Sequence, residues 1–376
     1  MTEPVLWSLD DHTRAKHRVL SAYLKAWLPV MGQQTLKLRS RDEPPRLLLV
    51  DGFCGPGRYE TGEDGSPLIM LKTLLEHDAF ERMGEVEFLF LFIEHDRRRV
   101  EHLEGELTAI EVPDNVKVMV EHGEFETTFG EMVEDVHSKQ GRTLVPTFAF
   151  IDPFGYTRAP MSLAGRFLTF ERCEALIFLP FSFIVRFVGR EGQDQAMNSL
   201  FGSERWREAI QMEGDERGAF LLGLFEEQLG SQGKVEHVRS FALRTADGND
   251  YRLVFASQHD KGLELIKDAM WSVDPVEGTR YIATRTDDGQ EVLFTPETDA
   301  LDTAPLLAHL RGKFGTDWFT IEQAQRAALL ETPFRVSSHL KARTLAPAEK
   351  AAVIEVDRSN GQRRFAAGVR MRFCDC

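Results

Sequence analysis

Residues 46–57 read RLLLVDGFCGPG, and this stretch decides the fold. Arg46–Asp51 is a short, almost continuous apolar run that ends in an acid. Asp51-Gly52-Phe53-Cys54-Gly55-Pro56-Gly57 follows, a bend whose glycines let the backbone approach a ligand closely. A buried strand that delivers an acid into such a bend belongs at the carboxyl edge of a parallel sheet, where open α/β sheets bind ligands. The next helix is predicted to open at Ser66-Pro67, with Ser as cap and Pro at the first helical position. Glu60 stands where the fingerprint G-x-G-x-x-G has its third glycine, which weakens a nicotinamide reading. A glycine turn that holds no ligand is the competing reading of the same residues.

Four more apolar runs continue the pattern: Glu87–Glu94, Val116–Val120, Thr147–Asp152 and Glu174–Leu179. Short runs this rich in Leu, Ile, Val and Phe suit strands buried on both faces. Segments between them, such as Ser66–His77 and Arg97–Ala109, carry helical spacing, so the order is that of a doubly wound α/β sheet. Upstream, His12–Met31 places Val19, Leu20, Tyr23, Leu24 and Trp27 on one helical face, and Gly32–Pro45 reads as a loop. Downstream, a helical insertion spans about 185–232. Val235–Thr245 and Tyr251–Ser257 then flank an Asp247-Gly248 hairpin signal, so the sheet is expected to end in an antiparallel pair. The first domain is assigned to 1–300.

Three further strand ends carry polar groups. Glu94, in Glu94-His95-Asp96, can accept both hydroxyl hydrogens of a ribose, or can simply be a solvated strand-end acid. Glu124, in Gly123-Glu124-Phe125, can meet an adenine edge with Phe125 stacked on the ring, or can cap a helix. Asp152-Pro153-Phe154-Gly155-Tyr156 directs a carboxylate into the crevice, with Phe154 or Tyr156 able to stack on a planar substrate. A plain strand-ending Asp-Pro turn is its alternative.

The formal net charge is -15, so the chain is no generic nucleic-acid binder. Its tail differs: Arg311–Cys376 holds 12 Lys and Arg against 7 Asp and Glu. Residues 301–376 read as a separate module of helices at Leu306–Phe314, Thr320–Leu330 and Arg335–Thr344, then a strand pair, Val353–Arg358 and Arg363–Ala366, around Ser359-Asn360-Gly361. Three helices and a hairpin form the winged-helix pattern, with Arg335, His339, Lys341 and Arg343 on the second helix of its helix-turn-helix. Such a module docks nucleic acid or protein. Four cysteines, Cys54, Cys173, Cys374 and Cys376, give no C-x-x-C pair and no disulfide framework. His102, His122, His259 and His339 lack metal-ligand spacing, so no metal is expected. H-E-x-x-H, G-x-S-x-G and the P-loop motif are missing from the sequence. Neither a secretory signal nor a bilayer-spanning run is evident, and a cytoplasmic protein is expected.

DGFCGPGRYETGEDGSPL (51–68), FIEHD (92–96), FAFIDPFGY (148–156) and LVFASQHDKGLELIKDAMW (253–271) together resemble the three-Cys-motif partner proteins. The resemblance runs through most of the chain. It implies a class I, Rossmann-like S-adenosylmethionine-dependent methyltransferase fold and a three-Cys-motif protein as partner. More distantly, residues 51–57 look like the D-x-F-x-G-x-G of nucleic-acid methyltransferases, and Asp152-Pro153-Phe154 like the [DN]-P-P-[YFW] of amino-methyltransferases. On that likeness Asp51, Phe53, Gly55 and Gly57 hold the methionine end of S-adenosylmethionine and Glu94 its ribose, with Glu124 near the adenine. Asp152 accepts a hydrogen bond from a target amine, and Phe154 or Tyr156 stacks on the base. The sequence departs from that motif by one proline, since Phe154 stands at the second proline's position. An adaptor that keeps the fold without turnover is the alternative.

Overall fold

The computed structural model describes residues 4–37, 44–139, 143–282, 284–285, 291–292, 301–358, 361 and 364–374. Helix α1 (Asp11–Lys37) opens the chain. Val19, Leu20, Tyr23, Leu24 and Trp27 recur at helical spacing and are all buried, so the face read from sequence is the face that packs. The helix runs six residues past the expected Met31, straight through Pro29. Proline has no N–H for the carbonyl four residues back, which is Lys25. His77 Nε2 lies 2.7 Å from that carbonyl and takes the missing donor's place.

The alternation then follows: β1 (Arg46–Asp51), α2 (Ser66–Leu75), β2 (Glu87–Glu94), α3 (Arg97–Thr108), β3 (Val116–His122), α4 (Phe125–Ser138), β4 (Thr147–Ile151), α5 (Met161–Leu168) and β5 (Cys173–Leu179). The helical insertion comprises α6 (Phe181–Phe187), α7 (Asp194–Phe201) and α8 (Gly214–Gly233), with a 3₁₀ segment at Arg205–Gln211. After it come β6 (His237–Arg244), β7 (Asp250–Ser257), α9 (Asp260–Val273) and the short β8 (Arg280–Ile282). The strands lie in the order β3-β2-β1-β4-β5-β7-β6-β8. β1 pairs parallel with both β2 and β4, and β7 is antiparallel to β5 and β6. This is the doubly wound sheet that the sequence predicts, with the expected antiparallel pair β7-β6, but the pair does not end the sheet, because β8 adds to β6 in parallel at the edge. α1, α2 and α9 cover one face, and α4, α5 and α8 the other. Because β1 neighbours both β2 and β4, the chain reverses its winding there, and a crevice opens at the carboxyl ends of β1 and β4.

A two-stranded piece, β9 (Thr284–Arg285) with β10 (Glu291–Val292), precedes the tail. The tail itself holds α10 (Ala304–Phe314), β11 (Phe319–Thr320), α11 (Ile321–Glu331), a wide π-type helix at Val336–Leu345, α12 (Ala346–Lys350), β12 (Ile354–Asp357) and β13 (Arg370–Phe373). Its three strands lie in the order β11-β13-β12 around a separate core. The last strand is not the expected Arg363–Ala366, of which Arg363 lies outside the described residues. Arg364 takes φ +49, a left-handed conformation that no strand accommodates, whereas Arg370–Phe373 alternates exposed and buried side chains. Of the expected turn, Ser359 and Asn360 lie outside the described residues, as does Cys376.

The tail is fastened to the sheet at the end of α11, where helix carbonyls lack intrahelical donors. Lys267 Nζ donates to Ala328 O and Leu329 O, Arg239 Nη2 to Leu330 O, and Trp271 Nε1 to Pro333 O. His339 is not a surface reader: it is buried edge-on to Trp271 at 4.4 Å. Arg335 sits beside it, 3.7 Å from Asp268. Among the described residues no helix is long and apolar enough to cross a membrane.

Candidate functional site

A cavity of about 400 Å³ lies at the switch point. Phe53, Cys54, Pro56 and Gly57 of the glycine bend form one wall, and Asp152, Pro153, Phe154 and Gly155 another. The first turns of α1 close it with His12, Thr13 and Lys16, and Phe178 and Tyr251 line the far end. The bend needs its glycines. Gly55 and Gly57 have φ +61 and +82, and a Cβ on Gly57 would stand 2.6 Å from Leu103 Cδ1. A Cβ on Gly52 would meet the Phe125 ring at 2.5 Å.

Asp51 ends β1 fully buried beneath this bend. Its Oδ1 accepts the Phe53 amide at 3.2 Å, while Oδ2 is buried with no well-formed hydrogen bond. Burial pushes its carboxyl up to about 7, the Ser66 hydroxyl and Phe53 amide drawing it down and Asp152 adding a further push upward. Asp152, just past β4, is joined to Lys16 Nζ at 2.5 Å, and that ammonium also sits 4.3 Å above the Phe178 ring. Lys16 pairs with Asp152, and burial is the main reason that the Asp51 carboxyl is raised.

Glu94 is buried but does not line the cavity. Oε2 accepts the Gly55 amide at 3.1 Å and Oε1 the Asp96 amide at 2.8 Å, with Arg99 Nη1 3.9 Å away. Oε1 also lies 2.9 Å from His95 Nδ1, so the first role of Glu94 is to tie the glycine bend to the end of β2. Asp96 caps α3 by accepting the Arg98 amide, and the Arg98 guanidinium holds its carboxyl down at about 2.

Glu124 precedes α4 on the surface, 3.6 Å from Arg158, outside the cavity. Phe125 is no stacking platform. It is buried against Phe53 at 5.1 Å and Phe129 at 5.0 Å, under Gly52. Tyr156 turns away from the cleft, donating to Gln193 Oε1 at 2.6 Å. Phe154 stays at the rim, 57% exposed.

The sequence reading missed the contribution of α1 and of the residues before it. His12 lies flat on Tyr251, centroids 4.2 Å apart and planes 3° from parallel, and Lys16 holds Asp152. Both follow from a contact between residues more than a hundred positions apart, which no local pattern records. Trp7 lies against the bend at Gly55 and 4.6 Å from Phe154. Away from the cleft, ligand atoms of Glu236, His237 and Asp260 lie within 4.8 Å of one another, but both acids are exposed and His237 Nε2 already faces Asp260 at 2.8 Å.

No protein-family profile and no curated protein matches this chain. Solved structures overlap it loosely. Trm1 from Pyrococcus horikoshii, in complex with S-adenosyl-L-methionine, is 11% identical over 68% of this chain and 59% of its own, with a TM-score of 0.36. The methyltransferase domain of bacterial CtHen1 is 10% identical over 60% of this chain and 96% of its own, at 0.29. The fibrillarin/Nop5p complex gives 11% identity over 57% and 72%, at 0.27. The matched part therefore spans less than two thirds of Trm1.

Proposed function

We propose that this chain binds S-adenosylmethionine at the glycine bend and transfers its methyl group to an amine on a nucleic acid, working with a three-Cys-motif protein. One observation carries the first half. Asp51, at the topological switch point, is buried with an unpaired Oδ2 below a glycine bend that has no room for side chains. An acceptor in that place calls for a cation, and the ammonium of the methionine end supplies one. Bound there, S-adenosylmethionine contributes an electrophilic methyl group on a sulfonium.

The chain's own task is alignment. Lys16 holds one oxygen of Asp152, which fixes the carboxylate's rotamer and leaves the other oxygen to accept an amine N–H. That hydrogen bond aims the amine's lone pair and raises its electron density. Phe154 and Pro153 border the same opening. The motifs that resemble three-Cys-motif partner proteins support the partner, and the basic, winged-helix-like tail supports nucleic acid. Part of that tail's charge is already matched, since Arg370 pairs with Asp357 and Arg372 with Glu355, while Arg343, Lys350 and Arg364 remain exposed. An adaptor retaining the fold is the second reading, favoured by the Trp7 ring lying on the bend.

Calorimetry with S-adenosylhomocysteine across pH tests the cofactor site. Below about 7 Asp51 carries a proton that must leave before it can pair with an ammonium. Affinity is therefore expected to rise with pH, by at most about tenfold per unit, until Asp51 is ionised. Asp51→Asn should bind weakly with a flat profile below pH 7, and an unchanged profile would remove Asp51 from the site. For the transfer step, Asp152→Ala is expected to lose methylation of a nucleic-acid substrate by about 10²–10⁴-fold while keeping cofactor affinity within a few-fold. Full transfer by that variant would contradict the assignment.

A further inference from the structure

Residues Pro4–Asp10 have no regular secondary structure, yet they are held at defined points. Arg99 Nη2 donates to Pro4 O at 3.3 Å and the Glu60 amide donates to Trp7 O at 2.9 Å. The Trp7 ring lies 4.2 Å from the Arg99 guanidinium and 4.6 Å from the Phe154 ring. It also presses on the bend, because a Cβ added to Gly55 would be 2.8 Å from the indole. Gly55 is the residue whose amide goes to Glu94, so the indole covers the ground beside the strand-end acid.

An indole and a purine are fused planar rings of similar size. A guanidinium on one side, an aromatic ring on another and bare backbone beneath form a slot suited to either. Trp7 is held there differently from the tryptophans of the core. Trp27 and Trp206 are 1% and 0% exposed, whereas Trp7 is only half-buried and belongs to none of the core clusters. Its anchors are the surface of the cleft and one backbone hydrogen bond.

We propose that Pro4–Asp10 is a strap whose Trp7 indole occupies the slot of the nucleoside base between Gly55, Arg99 and Phe154, and that the strap leaves before the nucleoside enters. The assignment rests on the reading of this cleft as an S-adenosylmethionine site. It makes Arg99 and Phe154 the stacking partners of the base. It also makes the free protein self-occupied: ligand affinity is reduced by the fraction of molecules with the strap in place.

The test compares S-adenosylhomocysteine binding to the full-length wild-type protein and to Trp7→Ala by calorimetry, and follows hydrogen exchange of the Glu60 amide in the wild type with and without that ligand. The expected result is binding at least tenfold tighter to Trp7→Ala, together with faster exchange at Glu60 on ligand addition as the amide loses the Trp7 carbonyl. Equal or weaker binding to Trp7→Ala, or exchange at Glu60 that the ligand leaves unchanged or slows, overturns the strap while the nucleoside reading stands. Binding to neither protein overturns both. Should Trp7→Ala fold poorly, exchange at Glu60 in the wild type decides alone.

Discussion

Gly57→Val is expected to lose S-adenosylhomocysteine binding by about 100-fold or more in calorimetry, a loss of roughly 3 kcal/mol, while its circular dichroism remains that of a folded sheet. Two independent features of the bend produce this. Gly57 has φ +82, a region closed to β-branched side chains. Its added Cβ would meet Leu103 Cδ1 at 2.6 Å, and Leu103 is itself fully buried and cannot swing away. The bend is also closed on itself, with the Gly65 amide donating to Gly57 O at 2.7 Å. Relief must come from moving the backbone that forms the cavity wall, and the strands on either side are left in place. Gly105→Ala serves as the control, since a Cβ there meets nothing within 4 Å. Binding by Gly57→Val at wild-type strength would show that the ligand does not touch the bend.

Glu174→Ala is expected to have the largest effect on stability, about 3–5 kcal/mol in urea unfolding. Glu174 opens the buried face of β5 at 3% exposure and accepts three hydrogen bonds. Tyr23 Oη and Ser257 Oγ donate at 2.6 Å and Trp27 Nε1 at 2.5 Å. Truncation leaves a void and three buried donors without an acceptor. Burial raises the Glu174 carboxyl above its ordinary value, outweighing the three donors that favour the charged form. The folded state then binds more protons than the unfolded state between the two pKa values. The stabilisation is complete below the unfolded pKa and is lost as pH rises through the folded one. Glu174→Gln should flatten that dependence, and a variant at residue 174 as stable as the wild type would mean the three donors find other partners.

The strands were legible because a run buried on both faces leaves a continuous apolar signature. Arg46–Asp51 and Glu87–Glu94 are bounded in the structure as they read in the sequence. The glycine bend was legible for a similar reason: positive φ restricts residue choice locally. Gly57, Asp152 and Phe154 line one crevice, and Asp51 is buried beneath its wall without lining it. What escaped detection depends on contacts distant in sequence. Lys16 reads as one charge on an amphipathic helix until it meets Asp152, and Glu174 as a strand-end acid until Tyr23, Trp27 and Ser257 surround it. Tyr156 shows the converse error. Adjacency to Asp152 suggested a shared role, yet the turn at Gly155, with φ +83, sends the ring toward Gln193. In the tail, the last strand was expected beside the turn at Ser359-Asn360-Gly361, whereas the alternation of exposed and buried side chains falls at Arg370–Phe373.

Helix α1 carries Lys16 into the cleft and, two and three turns further on, Tyr23 and Trp27 onto Glu174. One helix therefore spans the crevice and a buried polar cluster of the core. Any slackening at Glu174 reaches the crevice as a sliding of the helix, felt first where Lys16 grips Asp152. Heat or a core substitution should then loosen the Lys16–Asp152 pair before the chain comes apart.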